Sequence, residues 1–246
     1  HVYVLTAFLE PEHLLDVARV ADVEGYHACA LPDHVMYPKD MLSRYPYTGD
    51  WGHESPFPDT WVAIGAMAAV TTRLRFLSSV YLAPARPPVV TAKAVATAAI
   101  LSGYRVDFGF GVGWLAEECD YTGQDFRTRG RRMDELIPLL RQIWSGEWVA
   151  FHGTYYDYAP FVVPPAPRQQ IPMWGGGDSE RPMRRAAHVD GWIGANYYPL
   201  ETALETVARL QEIRREEGTA DRPGYGIVVG LDHPATVDEI RRLEQA

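Results

Sequence analysis

An acid and an imidazole stand side by side at Asp33 and His34, where the apolar run "HACALP" gives way to "LPDHV". Imidazole titrates nearest neutral pH, so His34 suits proton transfer to or from a bound reactant, and the neighbouring carboxylate can orient the ring. The plainer alternative makes Asp33 a helix cap and His34 a loop residue. Two glycine-rich stretches offer a second kind of chemistry. In "GFGVGW" (109 to 114) the missing Cβ atoms admit either a close-packed neighbour or a flat aromatic ring laid on the backbone. In "GGGDSE" (175 to 180) a turn of Gly175, Gly176 and Gly177 runs through Asp178 into a helix led by Ser179, so that backbone N–H groups face outward as they do around phosphates. The alternative there is an ordinary turn with Ser179 as N-cap.

These residues need elements to position them, and the chain alternates strand and helix. "VYVLTAF" (2 to 8) reads as a strand, and after Pro11 the residues Leu14, Val17, Ala18 and Ala21 recur at helical spacing up to Gly25. "HACALP" is a second strand. A polar and aromatic insertion, 36 to 59, leads to an apolar helix over 60 to 73. "LRFLSSVYL" (74 to 82) reads as strand three, and Pro87 and Pro88 open an Ala-rich helix to about Leu101. "VDFGFGVGW" (106 to 114) is strand four. A helix follows with Met133, Leu136, Ile137, Leu140 and Trp144 as its apolar stripe, and "GTYYDY" (153 to 158) reads as a strand or a loop wall over a pocket. "MWGGG", "GWIGAN" and "YGIVVG" are three more strands, with helices near 179 to 189, 201 to 217 and 236 to 245.

Seven strands alternating with helices imply a parallel sheet and fit an α/β fold of the (β/α)8 TIM-barrel type, with an insertion after strand two and the eighth strand expected beyond Ala246. The runner-up is a doubly wound sheet, disfavoured because no G-x-G-x-x-G turn opens the first helix. In a barrel the chemistry sits at the C-terminal strand ends. Asp33 and His34, Ser78, Ser79 and Val80, Gly113 and Trp114, the glycines 175 to 177, and Asn196 with Tyr197 all fall there.

The 246 residues, 47% hydrophobic and 22% charged, suffice for one sizeable core and are read as a single domain, 1 to 246. A net charge of -9 argues against nucleic acid as a partner. Neither an apolar run long enough to span a membrane nor a signal peptide is apparent, so a soluble cytoplasmic protein is expected. Cys29 and Cys119 read as free thiols, and His13, His27, His152, His188 and His233 show no paired metal spacing, so no metal site is expected.

The set "LPDHV", "RYPYTGD", "TTRLRF", "RVDFGFGVGWLAEE", "RGRRMDE", "IWSGE", "FHGTYYDY" and "IPMWGGGDSERPMRRAA" resembles the bacterial luciferase-like monooxygenase family, in the family's order and over nearly the whole chain. It looks most like the branch that uses the deazaflavin coenzyme F420. The resemblance implies an oxidoreductase moving a hydride between the deazaflavin and a small organic substrate, with Asp33 and His34 as the catalytic pair and His34 as proton donor or stabiliser. It implies a non-prolyl cis peptide at Ser79 and Val80 behind the cofactor ring, and it places Ser78, Ser79, Val80, Gly111, Val112, Gly113 and Trp114 along the ring. Gly176, Gly177, Asp178 and Ser179 would meet the phosphate, with Arg184 and Arg185 close by. Some F420-dependent relatives carry Glu where this chain has Trp114, which puts a second acid at that position in doubt. The aromatic residues Tyr37, Tyr45, Tyr47, Trp51 and Phe57 of the insertion suggest an apolar lid. The resemblance also implies a homodimer and a separate flavin or F420 reductase as redox partner. Two alternatives stand beside this reading: an FMN-dependent monooxygenase supplied with reduced flavin by a reductase, and a non-catalytic flavin-binding barrel.

Overall fold

The structure, a computed structural model, describes residues 2 to 7, 9 to 44, 46 and 52 to 246. It falls into two compact units, the first running to Ile171 and the second beginning at Pro172, with Pro46 grouped with the second.

In the first unit four strands make a parallel sheet: β1 (Tyr3–Leu5), β2 (Ala28–Leu31), β3 (Arg75–Ser78) and β5 (Val106–Gly111), in that spatial order. All residues of β2 and β5 are buried, as expected of parallel strands with both faces covered. Register pairs Cys29 with Phe76 and Leu31 with Ser78, which brings the ends of β2 and β3 level. Predicted strand three is broken: β3 stops at Ser78, the Ser79–Val80 peptide is cis, and a two-residue strand β4 (Tyr81–Leu82) pairs instead with Phe110 and Gly111 of β5.

The helices follow local sequence rules. After a short turn at Pro11–His13, α1 (Leu14–Val23) buries Leu14, Ala18 and Ala21. The Asp59 carboxylate accepts the Trp61 and Val62 N–H groups to start α2 (Thr60–Ala69), which ends earlier than its apolar run suggests. Pro88 starts α3 (Pro88–Leu101). A short acidic helix, α4 (Ala116–Tyr121), follows β5, and α5 (Arg129–Trp144) buries Met133, Leu136, Leu139, Leu140, Ile143 and Trp144. Ile137, predicted in the stripe, is only half-buried, and Leu139 and Ile143 belong to it instead. Phe108 of β5 packs edge-on to Trp144, 5.6 Å between ring centres, and lies 6.0 Å from both Trp61 and Tyr81. The "GTYYDY" segment joins an antiparallel hairpin, β6 (Val149–His152) and β7 (Asp157–Phe161), whose turn donates the Thr154, Tyr155 and Tyr156 N–H groups to Glu135 of α5.

The second unit alternates β8 (Met173–Gly176), α6 (Glu180–Ala186), β9 (Gly191–Tyr198), α7 (Leu200–Glu216), β10 (Gly226–Leu231) and α8 (Val237–Gln245). Its three strands are parallel, and Met183, Ala186, Ala187, Trp192, Val207, Leu210 and Ile213 form its core. At Gly175 an added Cβ would sit 2.8 Å from the Ala186 Cβ, so the glycine sets how closely α6 lies on β8. All seven parallel strands read from the sequence are present.

Candidate functional site

Strand β2 runs out at Leu31, and the next turn carries Asp33 and His34 into different surroundings. Asp33 is buried. Its carboxylate takes a two-pronged ion pair from Arg86, at 2.6 and 2.8 Å, and the Leu82 N–H at 2.8 Å. Burial pushes this carboxyl up, while Arg86 and the Leu82 amide pull it back, and the bidentate geometry is that of a carboxylate. The Arg86 guanidinium also lies over the Tyr81 ring, 4.3 Å from its centre. Asp33 therefore ties the end of β2 to β4. The carboxylate beside His34 belongs to another residue, Glu118 of α4, and the expectation that Asp33 orients the imidazole is corrected accordingly.

His34 Nδ1 lies 3.1 Å from each Glu118 oxygen, and the Val35 N–H donates to Oε1 of the same carboxylate at 2.6 Å. The Glu118 side chain is 2% exposed and that of His34 13%. Phe57 and Trp114 stand edge-on to the imidazole, with ring centres at 4.8 and 5.9 Å. The neighbouring acid, Glu117, faces the insertion after β2: it accepts the Leu42 and Ser43 N–H groups and the Ser43 hydroxyl, and that hydroxyl in turn accepts the Ala116 N–H. Burial raises the Glu117 carboxyl, but the hydrogen bonds from Ser43 and Leu42 together outweigh it and hold the pKa down at about 2. The short acidic helix thus holds His34 and Val35 through Glu118, and Leu42 and Ser43 through Glu117.

The other ring-facing candidates divide by what they touch. The Ser78 hydroxyl donates to the Gly109 carbonyl at 2.8 Å and accepts the Gly109 N–H at 3.0 Å, so it links β3 to β5. The cis peptide expected at Ser79 and Val80 is present, and both residues are half-buried. A Cβ on Gly111 would run into the Val80 Cγ2 methyl, so at this position the missing side chain admits a packed neighbour. Gly113 has φ +78°, a conformation glycine adopts without strain, and its carbonyl accepts from Arg129 Nε at 3.0 Å. Val112, Gly113 and Trp114 are half-buried beyond the end of β5.

In the second unit Gly177, at φ +122°, precedes Asp178, whose carboxylate accepts the Ala195 N–H and the Asn196 amide at 2.7 and 2.8 Å. Asp178 thereby fixes the end of β9. Gly176 is half-buried at the end of β8. Ser179 stands exposed at the N-cap of α6, the position that the ordinary-turn alternative gives it, and its side chain makes no capping bond. Arg184 is bound by Glu180, Glu216 and Glu217, so its charge is already matched.

Among the described residues no group of three or more His, Cys, Asp or Glu side chains is placed to hold a metal ion, and both cysteines are free and buried. No described helix is long and apolar enough to cross a membrane. The "RYPYTGD" motif beyond Arg44 and Pro46, and the lid residues Tyr45, Tyr47 and Trp51, lie outside the described residues. What the first unit does assemble is an imidazole beside a buried carboxylate, with two aromatic rings edge-on to it. An imidazole so placed can pass a proton to or from a bound reactant. Glu118 and Arg86 escaped sequence reading because they lie 84 residues from His34 and 53 from Asp33. The only available signal was the paired acid of "AEE" five positions beyond Gly113.

Residues 3–241 match the model of the luciferase-like monooxygenase family. An uncharacterized protein of Mycobacterium tuberculosis is 38% identical over 234 residues, covering 94% of this chain and 80% of that protein. An F420-dependent glucose-6-phosphate dehydrogenase of Nocardia farcinica is 31% identical over 189 residues, 74% of this chain, and the chain spans about half of its length, 53%. The FMN complex of the oxygenating constituent of 3,6-diketocamphane monooxygenase from Pseudomonas putida superposes with a TM-score of 0.69 at 17% identity, covering 92% of this chain and 66% of that one. The alternation of parallel strands and helices in both units is that of the α/β TIM-barrel fold these proteins share.

Proposed function

Because the chain belongs to the luciferase-like monooxygenase family, we propose that it is an F420-dependent oxidoreductase acting on a small organic substrate, with 1 to 246 as one barrel domain. The observation that carries this reading is the His34–Glu118 couple at the end of β2, walled by Trp114 and Phe57. Similarity to the Nocardia farcinica dehydrogenase favours the deazaflavin over FMN. When bound, a deazaflavin supplies a hydride-accepting carbon, and the protein supplies position and proton handling.

In the oxidative direction a substrate gives up one hydride and one proton. His34 takes the proton at Nε2, and in the reverse direction it returns it. Trp114 and Phe57 exclude water from the imidazole edge. Asp33 serves as a positioning residue, holding the turn through Arg86 and Leu82. Ser78, Ser79, Val80, Gly111, Val112 and Gly113 shape the ring's seat, and Gly176, Gly177, Asp178 and Ser179 form the phosphate-binding turn of the second unit. A homodimer and a reductase partner complete the proposal. The second reading, an FMN-dependent monooxygenase, is favoured by the fold shared with the FMN complex from Pseudomonas putida.

The test is anaerobic. Protein mixed with oxidised F420 and a panel of alcohols, aldehydes and sugar phosphates is expected to bleach the deazaflavin absorbance with at least one donor. His34→Ala is expected to slow that bleaching by about 100-fold or more while still binding F420. Turnover seen only with reduced FMN and oxygen would overturn the F420 reading.

A further inference from the structure

The imidazole has two nitrogens, and which one carries the proton of the neutral ring decides what His34 can do at the other. We infer that Glu118 is a positioning residue that fixes neutral His34 as the Nδ1–H tautomer, so that Nε2 presents its lone pair as a proton acceptor. This rests on the reading of His34 as the proton-handling group and deepens it. Three observations carry the inference. Nδ1 sits 3.1 Å from both Glu118 oxygens, the symmetric placement of one N–H shared by a delocalised carboxylate. A protonated carboxylic acid would instead give one short bond from a single oxygen to an unprotonated Nδ1. The Val35 N–H already donates to Oε1 at 2.6 Å, so the carboxylate is engaged as an acceptor. Finally, the Glu118 side chain is 2% exposed, so little water competes for the carboxylate and the ring has a fixed partner. Asp33, the acid next in sequence, is bound to Arg86 and Leu82 and supplies none of this.

The same carboxylate bonds both the His34 ring and the amide of Val35, so it sets the ring's rotation as well as its tautomer. A histidine held in this way by an acid 84 residues distant couples α4 to the turn after β2.

The test reads the tautomer directly and needs no substrate. Protein labelled with 15N-histidine is compared by long-range 1H–15N spectroscopy as the native chain, Glu118→Gln and Glu118→Ala, above the pH at which His34 loses its second proton, with His34→Ala assigning the signal. The native chain is expected to show the Nδ1–H pattern. Glu118→Gln, whose amide oxygen still accepts, is expected to keep it. Glu118→Ala is expected to move at least about half of the population to Nε2–H, the form usually preferred without a partner at Nδ1. A native Nε2–H pattern, or an unchanged Nδ1–H pattern in Glu118→Ala, would overturn the inference. The native and Gln spectra carry the test if the Ala variant does not fold. The separate reading of His34 as catalytic fails on a different result, bleaching of F420 at an undiminished rate by His34→Ala, which leaves the tautomer assignment standing.

Discussion

At the scale of single residues the site depends on two acids with opposite tasks. Asp33 is paired with a cation and buried, and Glu118 is paired with an imidazole and buried. Removing one member of a buried ion pair strands the other charge, which costs more than removing both. Arg86→Ala is therefore expected to lower stability by about 3 kcal/mol in urea unfolding, and the Asp33→Asn/Arg86→Met double variant to recover roughly half of that loss. Equal stability of Arg86→Ala and the native chain would contradict the assignment of Asp33 as a braced structural charge. Asp33 and His34 were legible in the sequence because a polar pair interrupts a buried strand at its C-terminal end. Their partners were not, since pairing between strand ends depends on register and on a helix too short to show a period.

At the scale of elements, the turn after β2 is held from one side by β4 and from the other by α4. Strand three reads as continuous from the sequence because apolar and strand-favouring residues flank Ser78 and Ser79 on both sides. Only the pairing of β4 with Phe110 and Gly111 reveals that the run serves two separate positions. The close contact between Gly111 and Val80 yields a prediction. Gly111→Ala is expected to cost about 1–3 kcal/mol through overpacking, and a second change, Val80→Ala, to relieve most of it in thermal unfolding. No rescue by Val80→Ala would place the constraint elsewhere. The hairpin of β6 and β7 was read only as a strand or wall, since its aromatic residues carry no alternation that separates two strands.

The Glu117 clasp predicts a pH effect at the same scale. Its carboxyl titrates at about 2 in the folded chain against the ordinary 4.5, so its hold on Leu42 and Ser43 is complete above the unfolded value and is lost as pH falls from about 4.5 toward 2. Hydrogen exchange at the Leu42 and Ser43 amides, corrected for the intrinsic acid dependence, is expected to show protection falling over that window. Glu117→Gln is expected to flatten the dependence. Protection unchanged down to about pH 2 would show that other contacts hold this segment.

At the scale of the whole molecule, composition and order were enough for the fold class. Seven parallel strands appear where the sequence placed them, because each is a short apolar run bounded by turn residues and followed in sequence by a helix. The family follows from the same order of motifs, and residues 3–241 match its model. The choice of cofactor is a finer matter than fold, since the solved neighbours include proteins with FMN and with F420. Net charge bears on it little, since a total of -9 does not distinguish one cofactor from another. The measurement that most directly tests the account is a calorimetric titration of the purified apoprotein with F420 and, separately, with FMN. F420 is expected to bind at least about tenfold more tightly, a difference of about 1.4 kcal/mol. Tighter binding of FMN would contradict the account and place the protein among the oxygen-using members of its family.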